Sequence, residues 1–531
     1  MEYKKTDASD IEIQLASRFK DGFITLNQIP HPHKFKDMER AAKRIVKAIH
    51  NNESITVVSD FDIDGTHAVS QLKMFFSEIG YPLTTICPHR VIDGYGLSMN
   101  LMSRLADANL VITVDNGISS VEAAEELHKR GIDLIITDHH MLPPVVPRAY
   151  AIVNQKQKDC TFPYDEVCGA QIAWYLIAAL KIELDIEVDM LKYLEFASIA
   201  IVGDVMPLQS GINRAMLKVG LERLAVSNVP AFRAYREYAE KTTLTSQDIG
   251  YFFGPILNSA GRMEDANYTI NFLMSDNIQD ARVRLLRLVG FNDRRKEIEA
   301  EIAKEAIASA DESDSLIMVK GKGWHEGVIG IVASRVARHF KRPAIVFSEN
   351  DKGMLKGSGR NYGEGDLFEV VSESRDLTEK MGGHKEAVGL SIKTENFDRF
   401  KEAVNDRYKN KGHKKELIDK EILGELTIPQ IDFPLVHMMK VYEPFGQGNT
   451  TPKFISKEVT VHEVDTMGKK KEHLRFSFSQ GGRLIKGVKF RTDEVFSEGD
   501  VVDITYTINE NHFRGDVTLQ LMVDKISNKN G

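Results

Sequence analysis

Cysteine is nearly absent: Cys87, Cys160 and Cys168 are the three in a chain of 531 residues. So odd and sparse a count carries no disulfide framework, and the spacings make no CxxC zinc pattern. Long apolar runs are missing too. None approaches the roughly 18–20 residues that span a bilayer, so no membrane role is expected. The opening Met1-Glu2-Tyr3-Lys4-Lys5 is followed by no apolar core of the signal-peptide kind. A reducing cytoplasm is the expected location. Nor is there an excess of positive charge, since 69 Lys and Arg stand against 77 Asp and Glu for a formal net charge of −8. That excludes a histone-like coat for nucleic acid but leaves room for a local basic face.

What is present is ordinary globular material, 42% hydrophobic and 27% charged. At roughly 100–200 residues per domain the length predicts three or four domains. Apolar runs at Ile55–Val58, Leu110–Val114 and Leu134–Thr137 alternate with helix-like stretches, one from about Thr66 to Ile79 and one ending near Lys129. This is the pattern of βαβ units on a parallel sheet. Pro143, Pro144 and Pro147 then mark a loop, and residues 169–273 are mostly helical in period. The charged stretch 276–310 has no proline and no glycine after Gly290, which predicts a long solvated connecting helix.

A second α/β unit follows, with strands at Leu316–Val319 and Ala344–Phe347, a helix over Gly327–Phe340, and a cluster of glycines expected to form loops. A polar linker is expected near Lys409–Asp419. Beyond Glu425 short period-two runs such as Leu474–Phe478 and Val501–Tyr506 predict a small β-barrel. The expected divisions are an N-terminal extension over 1–40 with no legible role, then 41–275, 276–312, 313–410 and 420–531.

Four acidic clusters carry the chemistry: Asp60-Phe61-Asp62-Ile63-Asp64-Gly65, Asp115-Asn116-Gly117, Asp138-His139-His140 and Gly203-Asp204-Val205. Three directly follow predicted strands, and in an open parallel sheet ligands bind outside the carboxyl ends of the strands. The first cluster is not an EF-hand loop, because Gln71 stands where the twelfth-position Glu is needed. Carboxylates converging in one crevice repel unless protonated or shared with a cation. Carboxylate with imidazole suits Mn²⁺ or Mg²⁺. Five or six ligands suit two ions about 3.5–4 Å apart, the arrangement that drives in-line phosphoryl displacement.

These clusters resemble the motifs of the DHH phosphoesterases, a family named for the triplet that here is Asp138-His139-His140. The resemblance implies two divalent ions, Mn²⁺ or Mg²⁺, on Asp62, Asp64, Asp115, His139 and Asp204. Asp60 stands beside them, and His140 is implied as the general acid. Pyrophosphatase-like members place a ligand His four positions before the second Asp, where this chain has Val58. Gly357-Ser358-Gly359-Arg360, Gly382-Gly383-His384-Lys385-Glu386-Ala387-Val388-Gly389 and Asn258-Ser259-Ala260-Gly261-Arg262-Met263 resemble motifs of the RecJ-type branch. They imply that Arg262, Ser358, Gly359, Arg360, Gly383 and His384 bind substrate phosphate. Arg90, near Asp93-Gly94-Tyr95-Gly96, joins them. Lys469, Lys470, Lys471 and Arg475 with Phe476 and Phe478 suit a nucleic-acid face on an OB-fold barrel.

The expected architecture is therefore α/β multidomain: a parallel-sheet DHH domain, a long connecting helix, a second α/β DHH-associated domain and a C-terminal OB-fold. The implied activity is 5′→3′ exonucleolysis of single-stranded DNA in repair and recombination. A helicase and a single-strand-binding protein are the implied partners. Two alternatives use the same residues. A DHH oligoribonuclease or cyclic-dinucleotide phosphodiesterase would need no barrel. A non-catalytic RecJ-like DNA-binding scaffold would lack metal ligands, whereas here every one is present.

Overall fold

In the computed structural model the described residues are 3–20, 22–411, 422–468, 471–492, 494–513 and 516–528. Most of the expected linker, and Lys469 and Lys470, lie outside them. Three sheets organise the described residues.

The first sheet is wholly parallel, with strands β1 (Ile55–Ser59), β2 (Thr84–Ile86), β3 (Leu110–Val114), β4 (Asp133–Thr137) and β5 (Ala151–Val153) in the order 2-1-3-4-5. β1 and β3 are buried at every position, as the unbroken apolar runs require of strands covered on both faces. The order reverses between β1 and β3, and this switch point opens a crevice at their carboxyl ends. Asp60 follows β1, Asp115 follows β3 and Asp138 follows β4. Asp204 reaches the crevice differently, as the C-terminal cap of the helix Met190–Gly203.

The second sheet is mixed, with β6 (Ile317–Lys322), β7 (Ala344–Glu349), β8 (Met354–Arg360), β9 (Lys380–His384) and β10 (Ala387–Lys393) in the order 6-7-8-10-9. The glycine-rich motifs expected as loops are instead its antiparallel strands: Ser358 faces Gly389, which faces Gly382, and Arg360 faces Ala387, which faces His384. Glycine weakens strand propensity without removing the ladder's hydrogen bonds, so composition misread them.

The connecting helix spans Ile278–Ala308, 31 residues and about 46 Å. It is not simply solvated. Leu285 and Leu288 pack in one core with Phe253 and Leu257 of the first unit, and Ile302, Ala303 and Ala306 pack with Ile317 and Val332 of the second. Glu299 is buried between Arg295 and Arg335, both at 2.6 Å. A helix with opposite ends in two cores sets the spacing between them.

The third sheet contains β11 (Ile422–Glu425), β12 (Lys453–Met467), β13 (His473–Gln480), β14 (Arg483–Phe490), β15 (Val501–Phe513) and β16 (Asp516–Asn528). Strands 12-13-14-16-15 close on themselves through the β12–β15 pairing, with β14 and β16 parallel. This is OB-fold closure. The helix Ala8–Ala16 belongs with this barrel: Ile11 and Leu15 lie in its core, and Gln14 Nε2 donates to the Leu423 carbonyl at 3.1 Å. Phe35 and Met38 join the core of the first unit instead.

Candidate active site

The site is assembled from short structures at the carboxyl ends of β1, β3 and β4. Asp62 caps the helix Ile63–Glu78, accepting the Asp64 and Gly65 N–H groups at 2.9 and 3.1 Å. The turn is tight enough that a Cβ on Gly65 would lie 2.6 Å from the Asp60 carbonyl oxygen. Asn258 holds the same turn from outside, accepting the Ile63 N–H at 2.8 Å. Asp64 is fully buried and takes two N–H groups from the start of the helix Gly169–Glu183, from Gly169 at 2.5 Å and Ala170 at 2.7 Å. A helix N-terminus is a natural seat for a carboxylate. Asp115 adopts the left-handed conformation, φ 62°. A Cβ on Gly169 would lie 2.5 Å from the Cβ of Asp115, so this glycine, which carried no motif signal, is required by the approach of helix to strand end.

These acids converge on His139. Its Nε2 lies 3.1 Å from Asp115 Oδ1, 3.5 Å from Asp204 Oδ2 and 3.7 Å from Asp64 Oδ2. Three triads have ligand atoms within 4.8 Å of one another: Asp60, Asp62 and Asp115; Asp64, His139 and Asp204; and Asp115, His139 and His140. Burial, reinforced by the neighbouring acids, raises Asp60, Asp115 and Asp204 well above the ordinary carboxylate range and Asp64 to about 6. Burial, reinforced by the charge of His140, drives His139 down to about 3. His139 is thus neutral at physiological pH, with a lone pair to offer. Asp115 Oδ1 and Asp204 Oδ2 are buried without a hydrogen-bond partner. Buried acceptors left unpaired, each within a group of other ligand atoms, fit divalent cations. Asp60, with Asp62 and Asp115, belongs to one of the three groups placed to share a cation.

His140 is different. It is half-exposed, and its Nδ1 lies 2.7 Å from Asp138 Oδ1. Burial lowers its pKa, but the Asp138 hydrogen bond and charge outweigh that and raise it to about 9. Asp138, which sequence reasoning left without a role, is held by the Ile118 N–H at 2.9 Å and orients the imidazole. The Tyr95 ring stands edge-on to His140 at 6.4 Å. Its DGYG setting was the signal that could have marked it.

Beyond Asp60 and Asp62 lies an arginine cluster. Arg90 stacks over Phe61 at 4.0 Å and donates to the Gly261 carbonyl at 3.1 Å. Arg262 is lowered to about 10, first by burial and then by the charge of Arg90, with Arg360 adding to it. Arg360 donates to Ser358 Oγ at 3.2 Å. The second unit docks here: a Cβ on Gly327 would meet the Arg262 carbonyl oxygen at 2.1 Å. Gly389 and Gly382, beside Ser358, have open space where a side chain would stand. They form a bare shelf on which a phosphodiester backbone can rest.

Not every expected residue joins this cluster. A Cβ on Gly359 would lie 2.5 Å from Val388 Cγ1 and 3.0 Å from Ile345 Cγ1, so Gly359 faces the core and serves close packing. Gly383, φ 152°, lies on the edge strand where a Cβ would meet the Ala387 carbonyl oxygen at 2.3 Å. His384 is exposed two strands from Arg360, about 10 Å across the ladder.

The barrel corrects the stacking expectation. Phe476 and Phe478 are core residues, 1% and 0% exposed and stacked on each other at 4.9 Å; alternate positions on one strand face the same way, and here that way is inward. Arg475 is exposed and paired with Asp465 at 2.9 Å. Lys471 is exposed in the turn before β13. Phe490 is an exposed ring on β14, edge-on to His473 at 5.0 Å.

Comparison with known proteins agrees with this geometry. Residues 54–201 match the family model of the DHH family N-terminal domain, 313–410 the DHHA1 domain and 422–525 the RecJ OB domain. The single-stranded-DNA-specific exonuclease RecJ of Dickeya dadantii is 30% identical over 524 residues, spanning 92% of this chain and 90% of that protein. The chain belongs to the RecJ family of DHH phosphoesterases. The Escherichia coli RecJ is likewise 30% identical over 522 residues, again 92% of this chain and 90% of that one. The structure of Thermus thermophilus RecJ with Mn²⁺ shares the fold, with a TM-score of 0.82 at 24% identity over 97% of this chain and 76% of that one. An exonuclease RecJ bound to manganese, 28% identical, aligns with a TM-score of 0.62 over 71% of this chain and 95% of that one. Within the RecJ family, then, both α/β units and the barrel have counterparts.

Proposed function

We propose that this chain is a metal-dependent exonuclease specific for single-stranded DNA, working from the 5′ end and releasing 5′-mononucleotides. The observation that carries the reading is the adjacency of a carboxylate crevice with orphaned buried oxygens to Arg90 and Arg262. Asp60, Asp62 and Asp115 would hold one divalent cation and Asp64, His139 and Asp204 a second, Mn²⁺ or Mg²⁺, supplying water activation and charge neutralisation at the scissile phosphate.

The chain's own residues do the rest. Arg90, Arg262, Ser358 and Arg360 grip the 5′-terminal phosphate through charge-assisted hydrogen bonds, which places the next phosphate over the carboxylates. His140, held protonated by Asp138, gives its proton to the departing 3′-oxygen of the terminal nucleotide. The retained strand keeps a new 5′-phosphate and can re-enter the same grip. The long helix fixes the cleft width, which supports exclusion of a duplex. The alternative of a non-catalytic scaffold is disfavoured by the complete ligand set.

A cytoplasmic location belongs to this reading, supported by the buried free thiols Cys87 and Cys168. So does a duplex-opening helicase to supply single strands and a single-strand-binding protein to present them. The test is digestion of 5′- and 3′-labelled strands with Mn²⁺. Early release of labelled mononucleotide from the 5′ end of single strands, with blunt duplex intact, is expected. Cleavage confined to two- to five-nucleotide RNA would overturn the reading in favour of an oligoribonuclease.

A further inference from the structure

The carboxylate crevice has two unlike ends. Arg90, stacked on Phe61, and Arg262 crowd the end at Asp60 and Asp62. At the other end Asp204 closes the helix Met190–Gly203 in a Schellman turn, the Met206 N–H donating to the Ile201 carbonyl at 2.9 Å and the Val205 N–H to the Val202 carbonyl at 3.2 Å. That turn puts Val205 in the left-handed region, φ 56°, where glycine is the usual occupant and a β-branched residue is strained. Packing does not compensate, because Val205 is 60% exposed. Strain held by an exposed side chain next to a functional acid invites a functional explanation.

The neighbouring element supplies one. Ile249–Phe253 is a π-helical turn, a feature frequent at functional sites. It lies against the same helix end, since a Cβ on Gly250 would stand 3.5 Å from Val202 Cγ1. The next two residues, Tyr251 and Phe252, are 77% and 62% exposed. The segment before this turn reaches the C-terminal module, with Gln247 Nε2 donating to Thr451 Oγ1 at 3.0 Å and Ser246 Oγ to the Phe445 carbonyl at 2.6 Å. The helix after it, Gly254–Met263, carries Asn258 and Arg262 into the site. Exposed apolar side chains, Val205 on the helix end and Tyr251 and Phe252 on the turn packed against it, thus stand on two touching elements beside Asp204.

We propose that Val205, Tyr251 and Phe252 form a base-stacking ledge for the retained strand, seating the nucleotide just 3′ of the scissile phosphate. The inference rests on the exonuclease reading. A strand held by its terminal phosphate among the arginines must leave at the opposite end, and apolar and aromatic faces accept any base by stacking. A paired base is already stacked and has no free face to offer, so the ledge also favours single strands.

The test is the KM for a 5′-phosphorylated oligonucleotide. The double variant Tyr251→Ala with Phe252→Ala should raise KM about tenfold, the scale of one lost stacked base. An abasic second nucleotide should raise the wild-type KM similarly and leave the variant's nearly unchanged. Tyr251→Phe should restore stacking and Tyr251→Leu should not. Unaltered KM in the double variant, or an undiminished abasic penalty, would sink the ledge. Binding of a strand with 2-aminopurine at the second position, without divalent ions, reads the same contact independently of cleavage. Fluorescence should be quenched by wild type and not by the double variant, and equal quenching would overturn the proposal. Quenching by a wild-type enzyme that never cuts with Mn²⁺ would instead overturn the hydrolytic reading alone.

Discussion

In the crevice, Asp115 and Asp204 each keep a buried oxygen without a hydrogen bond, while in the barrel Arg475 meets Asp465 at 2.9 Å and Lys489 donates to the Asp524 carbonyl at 2.8 Å. Both regions looked charged and functional in sequence. The first leaves acidic oxygens buried and unanswered; the second pairs its charge within the fold. Unanswered acidic groups in a water-poor place are what a ligand can exploit. Paired surface charge contributes about 0–1 kcal/mol and signals little.

Three changes break or sharpen this contrast. Asp115→Asn should lower exonuclease turnover by about a thousandfold, at the upper end for removing one electrostatic contributor, and should shrink the rise in Tm that Mn²⁺ produces. In wild type that rise should be larger at pH 8 than at pH 5.5. Burial lifts Asp64 to about 6, so the metal-free fold binds more protons than the unfolded chain and loses stability as pH climbs from the ordinary carboxylate value through about 6. A cation restores what is lost, and an Mn²⁺ effect equal at both pH values would contradict the unanswered-charge account. Phe478→Ala should destabilise the protein by about 3–5 kcal/mol in denaturant titration, with strand affinity unchanged in the fraction that stays folded. A selective loss of affinity would return this ring to a stacking role. Arg475→Ala should change strand affinity less than about twofold. If the slope of log affinity against log salt instead fell by about one, Arg475 would belong on a phosphate.

What could be read beforehand follows from how local each signal is. β1, β3 and β4 announced themselves as unbroken apolar runs, and the acids directly after them landed at the crevice. β2 and β5, three residues each, offered no period to detect. Asp204 was identifiable through resemblance, because it ends a helix rather than a strand. The glycine strands β8, β9 and β10 were hidden by composition. The inward turn of Phe476, Phe478 and Gly359 depends on which face of a sheet is covered, and alternation alone is silent about that. Gly169 and Asp138 act by holding other residues, so neither carries a chemical signature of its own.

The helix Ala8–Ala16 has a consequence for how the molecule is made. Gln14 bonds to Leu423, 409 positions further along the chain. A chain synthesised from its N-terminus exposes Ile11 and Leu15 long before Phe454 or Tyr506, their partners in the same core, have been translated. This helix is thus made long before it can settle, and until then its apolar face is a surface for chaperones or for aggregation. Its docking waits on the barrel, and a nascent chain stalled before the barrel would carry a folded crevice and an undocked apolar helix.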